Sequence, residues 1–256
     1  MEENIESSIR LRDLWDRRDL IVQLAYPSQE IEYASSILRE LESLQVDSIF
    51  IVKDTKTSLK LLGKGYRGIV LKASYNDTIS TVKILRTDSS VSSMYREAEM
   101  MMLANSKNIG PKIYAFSKHV ILMEYIDGVS FDAWLDNLDE NDEGSLRRIL
   151  KTILEQARRL DEINLDHGEL SNPRRHVMIR KTGSAVILDF GKASLTSKPK
   201  NVTSLFSYIS HGKHHRKIMR MLHLVDIPRH VIREYKENPT RERFEEIIKI
   251  LNLLDR

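Results

Sequence analysis

The stretch GKGYRGIV, residues 63 to 70, constrains the chain more than any other. Gly63, Gly65 and Gly68 stand in the pattern G-x-G-x-x-G-x-V, which closes on Val70. A dinucleotide-binding fold would need a strand before this pattern and a helix after it. Here strand-like segments lie on both sides, SLKLLGKG leading in and GIVLKASY leading out. The glycines therefore form the tip of a hairpin. Without Cβ atoms, backbone N–H groups at such a tip can approach phosphate oxygens. A glycine-rich hairpin with no ligand has the same letters, so its neighbours in the chain must decide.

The chain around it changes texture twice. Residues 1–56 contain no glycine and read mostly as helix, an N-terminal helical extension ending in a strand at SIFIV, 48 to 52. Ser28 after Pro27 is the expected N-cap of a helix whose apolar positions are Ile31, Ala34, Ile37, Leu38, Leu41 and Leu44. From residue 57 short strands follow, with NDT as the turn between GIVLKASY and TISTVKILR. A helix over 92–107 and two strands around SKH complete a small antiparallel sheet with one helix, residues 57–126. From 127 to 256 helices dominate. Ser130 caps a short one, and Leu146, Ile149, Leu150, Ile153, Leu154, Ala157, Leu160 and Ile163 form one apolar stripe. The hairpin HVMIRKTGSAVILDF follows, then helices from about 201 onward.

Composition removes several function classes. There is no cysteine, which excludes disulfides, thiolate metal sites and thiol nucleophiles. Apolar runs such as VILME are far shorter than a membrane span, and the N-terminal stretch has no apolar core resembling a signal peptide. A cytoplasmic protein without a membrane partner is expected. The net charge of +3 does not by itself argue for nucleic acid. The segment HGKHHRKIMR, 211 to 220, is basic enough to contact the phosphates of RNA or a ribosome, though a solvated helix face explains most such runs.

The hairpin tip between two strands resembles the glycine-rich loop of protein kinases. That resemblance assigns Gly63, Lys64, Gly65, Gly68 and Val70 to phosphate binding. It makes Lys83, in STVKILR, the lysine that holds the α- and β-phosphates. A lysine in that role needs a carboxylate to orient it. Glu97, in YREAEMMM, matches the REA signature of atypical kinases, with Glu99 as its alternative. By position ILMEYIDG is the hinge, with Met123 walling the adenine and Glu124 and Tyr125 offering main-chain contacts. Asp189, in LDFG, ends a strand where a carboxylate suits Mg²⁺.

More closely, GKGYRGIVLKA, VKILRTDS, EAEMMMLANSKNIGPK, HGEL and NVTSLF resemble a family of predicted archaeal Ser/Thr protein kinases. These belong with the RIO-type kinases and the kinase subunit of the tRNA-modifying KEOPS complex. The resemblance covers roughly residues 57 to 210 and implies an α+β, bilobal protein-kinase-like fold with a reduced helical C-lobe. It also implies ATP with Mg²⁺ or Mn²⁺ and transfer to a hydroxyl of a protein substrate or of the chain itself.

The loop HGELSNPRRHVMI departs from the standard H-R-D-x-x-x-x-N. His167 matches, Glu169 stands in place of the aspartate base, and Arg174 stands where the metal-binding asparagine belongs. Asn172 can hold the metal from a shifted position, or His176 can across a two-residue insertion, or Arg174 and Arg175 can neutralise phosphate charge instead. There is no A-P-E, and only about ten residues separate DFG from the next helix. The expectation is a working atypical kinase with Glu169, Lys83 and Asp189 as catalytic residues. The alternative is an ATP-binding pseudokinase or ATPase switch acting through a protein or RNA partner.

Overall fold

Asn76 and Asp77 set the geometry of the first sheet. Both hold left-handed φ angles, 49° and 58°, which Asn and Asp tolerate better than other non-glycine residues. They fold one long strand directly back on the next, so Tyr75 faces Thr78 and pairing continues to Gly68 opposite Leu85. The computed structural model describes residues 5–53 and 57–254. It divides into two units, Met1–Met102 with Pro111–Tyr125, and Leu103–Gly110 with Ile126–Arg256.

The first unit opens with strand β1 (Ile5–Arg10), helices α1 (Leu11–Leu14) and α2 (Arg18–Ile21), and a 3-10 turn at Val22–Ala25. Helix α3 (Ile31–Ser43) follows, then strands β2 (Ser48–Lys53), β3 (Thr57–Leu59), β4 (Leu61–Lys64), β5 (Gly68–Tyr75) and β6 (Thr78–Leu85). Helix α4 (Tyr95–Asn105) begins here, and β7 (Ile113–Phe116) and β8 (Val120–Glu124) close the unit. The sheet order is β1-β2-β5-β6-β8-β7, with β3 also on β2 and β4 also on β5.

Residues 5–10 form a strand, where the sequence suggests helix. Ile5, Glu6, Ser7, Ser8, Ile9 and Arg10 pair one for one with Lys53 back to Ser48. A mostly polar segment at the edge of a sheet takes its conformation from that distant partner and carries little local signal. The helical reading of residues 1–4 and 54–56 lies outside the described residues. Helix α3 starts at Ile31 with Glu30 in the cap position, and Ser28 instead accepts from the Glu30 N–H within the preceding turn. Ala34, Ile37, Leu38 and Leu41 are buried at the expected helical spacing. They share one apolar cluster with Leu14, Leu24, Ile49, Leu71 and Val82. Each fully buried leucine or isoleucine contributes about 1.5–3 kcal/mol. The N-terminal segment thus supplies much of the core beneath the sheet.

The second unit holds β9 (Gly128–Ser130), α5 (Phe131–Asn137), α6 (Glu143–Glu162), the one-turn α7 (Pro173–His176), β10 (Val177–Arg180) and β11 (Ala185–Ile187). Helices α8 (Asn201–His211), α9 (His215–Met221), α10 (Arg229–Glu237) and α11 (Arg241–Ile250) complete it. Ser130 caps α5 by accepting from the Ala133 N–H at 3.2 Å. The apolar stripe of α6 is buried, and β9, β10 and β11 form a small antiparallel sheet. Mixed α+β architecture with a mainly antiparallel sheet and a helical second unit is the expected fold class. No helix among the described residues is long and apolar enough to cross a membrane.

Candidate functional site

The glycine hairpin is the β4–β5 turn, closed by a hydrogen bond from Gly65 N to Gly68 O at 2.8 Å. Gly63 lies opposite Val70 and Lys64 opposite Ile69. Gly68 is confined by close approach: a Cβ there would stand 2.9 Å from the Ile84 carbonyl and 3.3 Å from Lys83 Cε. The tip is pinned from outside by Arg86, whose guanidinium donates to Gly65 O at 3.0 Å. Tyr66 at the tip is 79% exposed.

Lys83 sits mid-sheet on β6, facing Val70 on one side and Ile121 on the other. Its exposure is only 7%. Nζ stands 2.5 Å from Glu97 Oε1, and Glu97, in the first turn of α4, is itself 6% exposed. Glu99 is exposed. The other Glu97 oxygen, Oε2, is buried with no hydrogen-bond partner among the described residues. Desolvating a lysine and a carboxylate costs several kcal/mol per ion, so a buried pair of this kind adds little net stability. A preformed cation beside a glycine hairpin suits polyphosphate.

Met123 and Glu124 end β8, and Tyr125 follows. The Glu124 N–H donates to the Lys112 carbonyl at 2.8 Å, and its carboxylate accepts from the Lys112 N–H. That N–H is engaged within its own unit.

In the second unit the loop after α6 is tied to the segment after β11. Asp166 and Ser194 exchange two backbone hydrogen bonds of 2.9 and 2.8 Å. His167 is fully buried, with Nε2 2.9 Å from the Leu188 carbonyl and its ring edge-on to Phe190 at 5.1 Å. Because a carbonyl only accepts, Nε2 carries the hydrogen. Burial holds the imidazole pKa below its ordinary value. Gly168 takes φ +83°, and a Cβ there would stand 3.0 Å from the Lys192 carbonyl, so glycine is required between His167 and Glu169.

Glu169 Oε1 accepts from Lys192 Nζ at 2.8 Å and lies 3.8 Å from His176 Nε2. Asp189 adopts φ +64°, a region aspartate visits more readily than most residues. Its Oδ1 accepts from the Gly191 N–H at 3.4 Å. One ligand atom each of Glu169, His176 and Asp189 falls within 4.8 Å of the others. Two carboxylates and an imidazole are a donor set that fits a divalent cation. The Asn172 carboxamide oxygen accepts from Arg174 Nε at 2.9 Å. His176, weighed beside Asn172 on sequence, is the residue the fold sets next to Glu169 and Asp189.

Three residues emerged only from the structure. Lys192 reaches Glu169 across the loop. Asn201, at the start of α8, accepts from the His167 N–H at 2.9 Å and donates to the Leu165 carbonyl at 2.7 Å. Asp161 accepts from Asn201 Nδ2 at 2.8 Å, from the Asn201 N–H, and from Tyr235 at 3.1 Å. NVTSLF, quoted above only as a family likeness, begins with that Asn201. Its pairing across 34 residues left no local signal.

The basic segment 211–220 is largely engaged within its own unit. Lys213 pairs with Asp132 and Asp136, His214 with Asp136, Arg220 with Glu140, and Lys217 Nζ donates to the Leu135 and Leu138 carbonyls.

A family model described as the RIO domain matches residues 50–211. An uncharacterized protein of Methanocaldococcus jannaschii is 29% identical over 87 residues, 34% of this chain and 71% of that one.

Proposed function

The chain belongs to the RIO-domain family of atypical kinase-like, ATP-binding proteins, and on that premise we propose that it is a working Ser/Thr protein kinase of atypical type. It transfers the γ-phosphate of ATP, with Mg²⁺ or Mn²⁺, to a protein hydroxyl, its own included. The observation that carries this reading is the buried Lys83–Glu97 pair beside the glycine hairpin. A lysine buried at 7% exposure and already paired is a rigid cation for phosphate oxygens.

Each residue then has a task. N–H groups between Gly63 and Gly68 cradle phosphate, and Lys83 holds the α- and β-phosphates in the orientation Glu97 imposes. Asp189, together with His176 or Asn172, would hold the metal, which would supply positive charge to offset that of the phosphates. Glu169 accepts the hydroxyl proton. As it does, the hydroxyl oxygen bonds to the γ-phosphorus and the bond to the β–γ bridging oxygen breaks, releasing ADP. Phosphoryl transfer depends mainly on positioning and charge, so a glutamate can serve where aspartate is standard. Lys192 offers a second cation beside that carboxylate.

A second reading, an ATP-binding pseudokinase or ATPase switch acting through a partner, draws on the same Lys192 contact. An ammonium group at 2.8 Å already holds one oxygen of the carboxylate that would take the hydroxyl proton. RNA or ribosome association through 211–220 would compete with the pairing of Lys213 and Arg220 to Asp132, Asp136 and Glu140, with Arg216 as an exposed cation beside them.

Transfer from γ-labelled ATP decides between the readings, on the protein itself and on a generic basic protein. Loss of transfer in Asp189→Asn, Lys83→Ala and Glu169→Gln supports the kinase and Glu169 as its base. Transfer that survives Glu169→Gln removes Glu169 from that role. ATP binding by the wild type with no transfer at all overturns the kinase reading in favour of the switch. Lys83→Ala strands a buried Glu97 at a cost of about 3–5 kcal/mol, so its melting temperature is recorded alongside.

A further inference from the structure

Among the described residues, two groups of acidic and histidine side chains in the second unit bring possible ligand atoms together, and their imidazoles differ in one decisive respect. In the Asp132, Asp136, His214 group both ring nitrogens are engaged, Nδ1 with the Tyr208 hydroxyl at 2.9 Å and Nε2 with Asp136 at 2.8 Å. A neutral imidazole has one N–H and one lone pair, so His214 has nothing left for a cation. Lys213 already supplies a positive charge there.

His176 is the opposite case. Its Nδ1 is buried with no hydrogen-bond partner among the described residues. Its Nε2 stands 3.8 Å from Glu169 Oε1, beyond hydrogen-bonding range. The side chain is only 13% exposed, and the buried Nδ1 is closed to water. A ring held in place with its lone pair unengaged, facing a carboxylate and with Asp189 in the same group, has the character of a ligand awaiting an ion. The spacing agrees. Ligands about 2.1 Å from an ion lie about 3 Å apart when adjacent and about 4.2 Å apart when opposite. Small side-chain rotations close a set whose atoms already fall within 4.8 Å.

We infer that Asp189, His176 and Glu169 form a mixed nitrogen and oxygen cation site that takes a transition-metal ion such as Mn²⁺ in preference to Mg²⁺. The inference rests on the proposed phosphotransfer site and specifies its metal. Mg²⁺ favours hard oxygen ligands and keeps much of its water shell. An imidazole nitrogen is a poor ligand for it and a good one for transition-metal ions. The Lys192 side chain is 61% exposed, so its ammonium can give up Glu169 Oε1 to an entering ion at little desolvation cost. Only Glu169 Oε1 is needed at the ion, and Oε2 remains for the substrate hydroxyl.

The test uses the full chain and MnCl₂ alone, without nucleotide. Pulsed electron paramagnetic resonance of bound Mn²⁺ should show the ¹⁴N modulation of a directly bonded imidazole, and His176→Ala should abolish it. Competition with MgCl₂ should give a Mn²⁺ preference that falls at least tenfold in His176→Asn, which restores an amide oxygen of similar size. Should His176→Ala melt early, His176→Asn carries both readouts. Modulation that is absent in the wild type, or that persists in the folded His176 variants, overturns the inference. So does a Mn²⁺ to Mg²⁺ ratio unchanged in His176→Asn. Binding of a fluorescent ATP analogue and phosphate transfer are measured in parallel. Transfer without the ¹⁴N signature sinks only the metal assignment, and the signature without transfer sinks only the kinase reading.

Discussion

Lys192 Nζ lies 2.8 Å from Glu169 Oε1, although 23 residues separate them in sequence. The contact is held from below by the backbone exchange between Asp166 and Ser194, which aligns the loop carrying Glu169 with the segment carrying Lys192. The lysine follows the DFG triplet directly, so its ammonium is carried on the same short segment as Asp189.

Lys192→Met should therefore act on rate more than on stability. An exposed ion pair contributes about 0–1 kcal/mol to folding, and the melting temperature should move by only a few degrees. If Lys192 balances charge on the transferring phosphoryl group, kcat should fall by about 10–100-fold with the KM for ATP nearly unchanged. Steady-state kinetics separates the two parameters. A variant with unchanged kcat would leave Lys192 as a brace for Glu169 or as its blocker, and raised kcat would favour the blocker.

His167 predicts an acid limit. Burial lowers its folded-state pKa, so below the ordinary value of about 6.5 the unfolded chain binds a proton that the folded chain refuses. Stability then falls as pH falls, by up to about 1.4 kcal/mol per pH unit until the folded-state pKa is reached. Denaturant unfolding followed from pH 7.5 down to 5 should show that slope in the wild type and a shallower one in His167→Gln. Equal slopes would place the acid sensitivity in other groups.

The N-terminal segment should prove inseparable from the first unit. Leu38 is fully buried in the cluster shared by α3 and the sheet, and Leu38→Ala should cost about 2–5 kcal/mol. Deleting residues 1–50 removes α3 and half of β2, leaving Leu71, Val82 and Leu122 uncovered. That is more than a marginally stable domain can lose. The shortened chain should fail to give a cooperative melt or to bind ATP. A folded, ATP-binding product would show that the segment serves a partner instead.

How much of this could be read from the letters follows the range of each interaction. The glycine hairpin, the NDT turn, the Ser130 cap and the α6 stripe depend on residues within a turn or two of one another, and their local patterns announce them. Lys83 and Glu97, 14 residues apart, could be paired only by placing one on a strand and the other on the next helix. Strand β1 could not be read, because Ser7 and Ser8 are extended only through pairing with Ile51 and Phe50. The turn α7 was hidden for a different reason. Pro173 reads as a loop residue, yet proline is favoured in a first helical turn, and here it opens one. That turn also spans the extra residues before His176, so the imidazole arrives beside Glu169 where linear counting places Arg174.

Asn201 links the loop to the helices behind it, which makes Asn201→Ala the most informative single change away from the reacting groups. The side chain is 1% exposed and makes hydrogen bonds to the His167 N–H, the Leu165 carbonyl and Asp161. Truncation leaves a buried N–H and a buried carbonyl without partners, about 1–3 kcal/mol for each. It also removes one donor from Asp161, whose pKa is already raised by burial and is pulled down by Asn201. The melting temperature should drop by many degrees, and Asn201→Asp should not restore it, because a second carboxylate would then face Asp161. With the His167 backbone released, Glu169 and Asp189 lose their fixed relation, so kcat should fall beyond the loss expected from unfolded protein alone. Transfer assayed well below the melting temperature, normalised to the folded fraction, measures that excess. Full activity per folded molecule would confine Asn201 to stability.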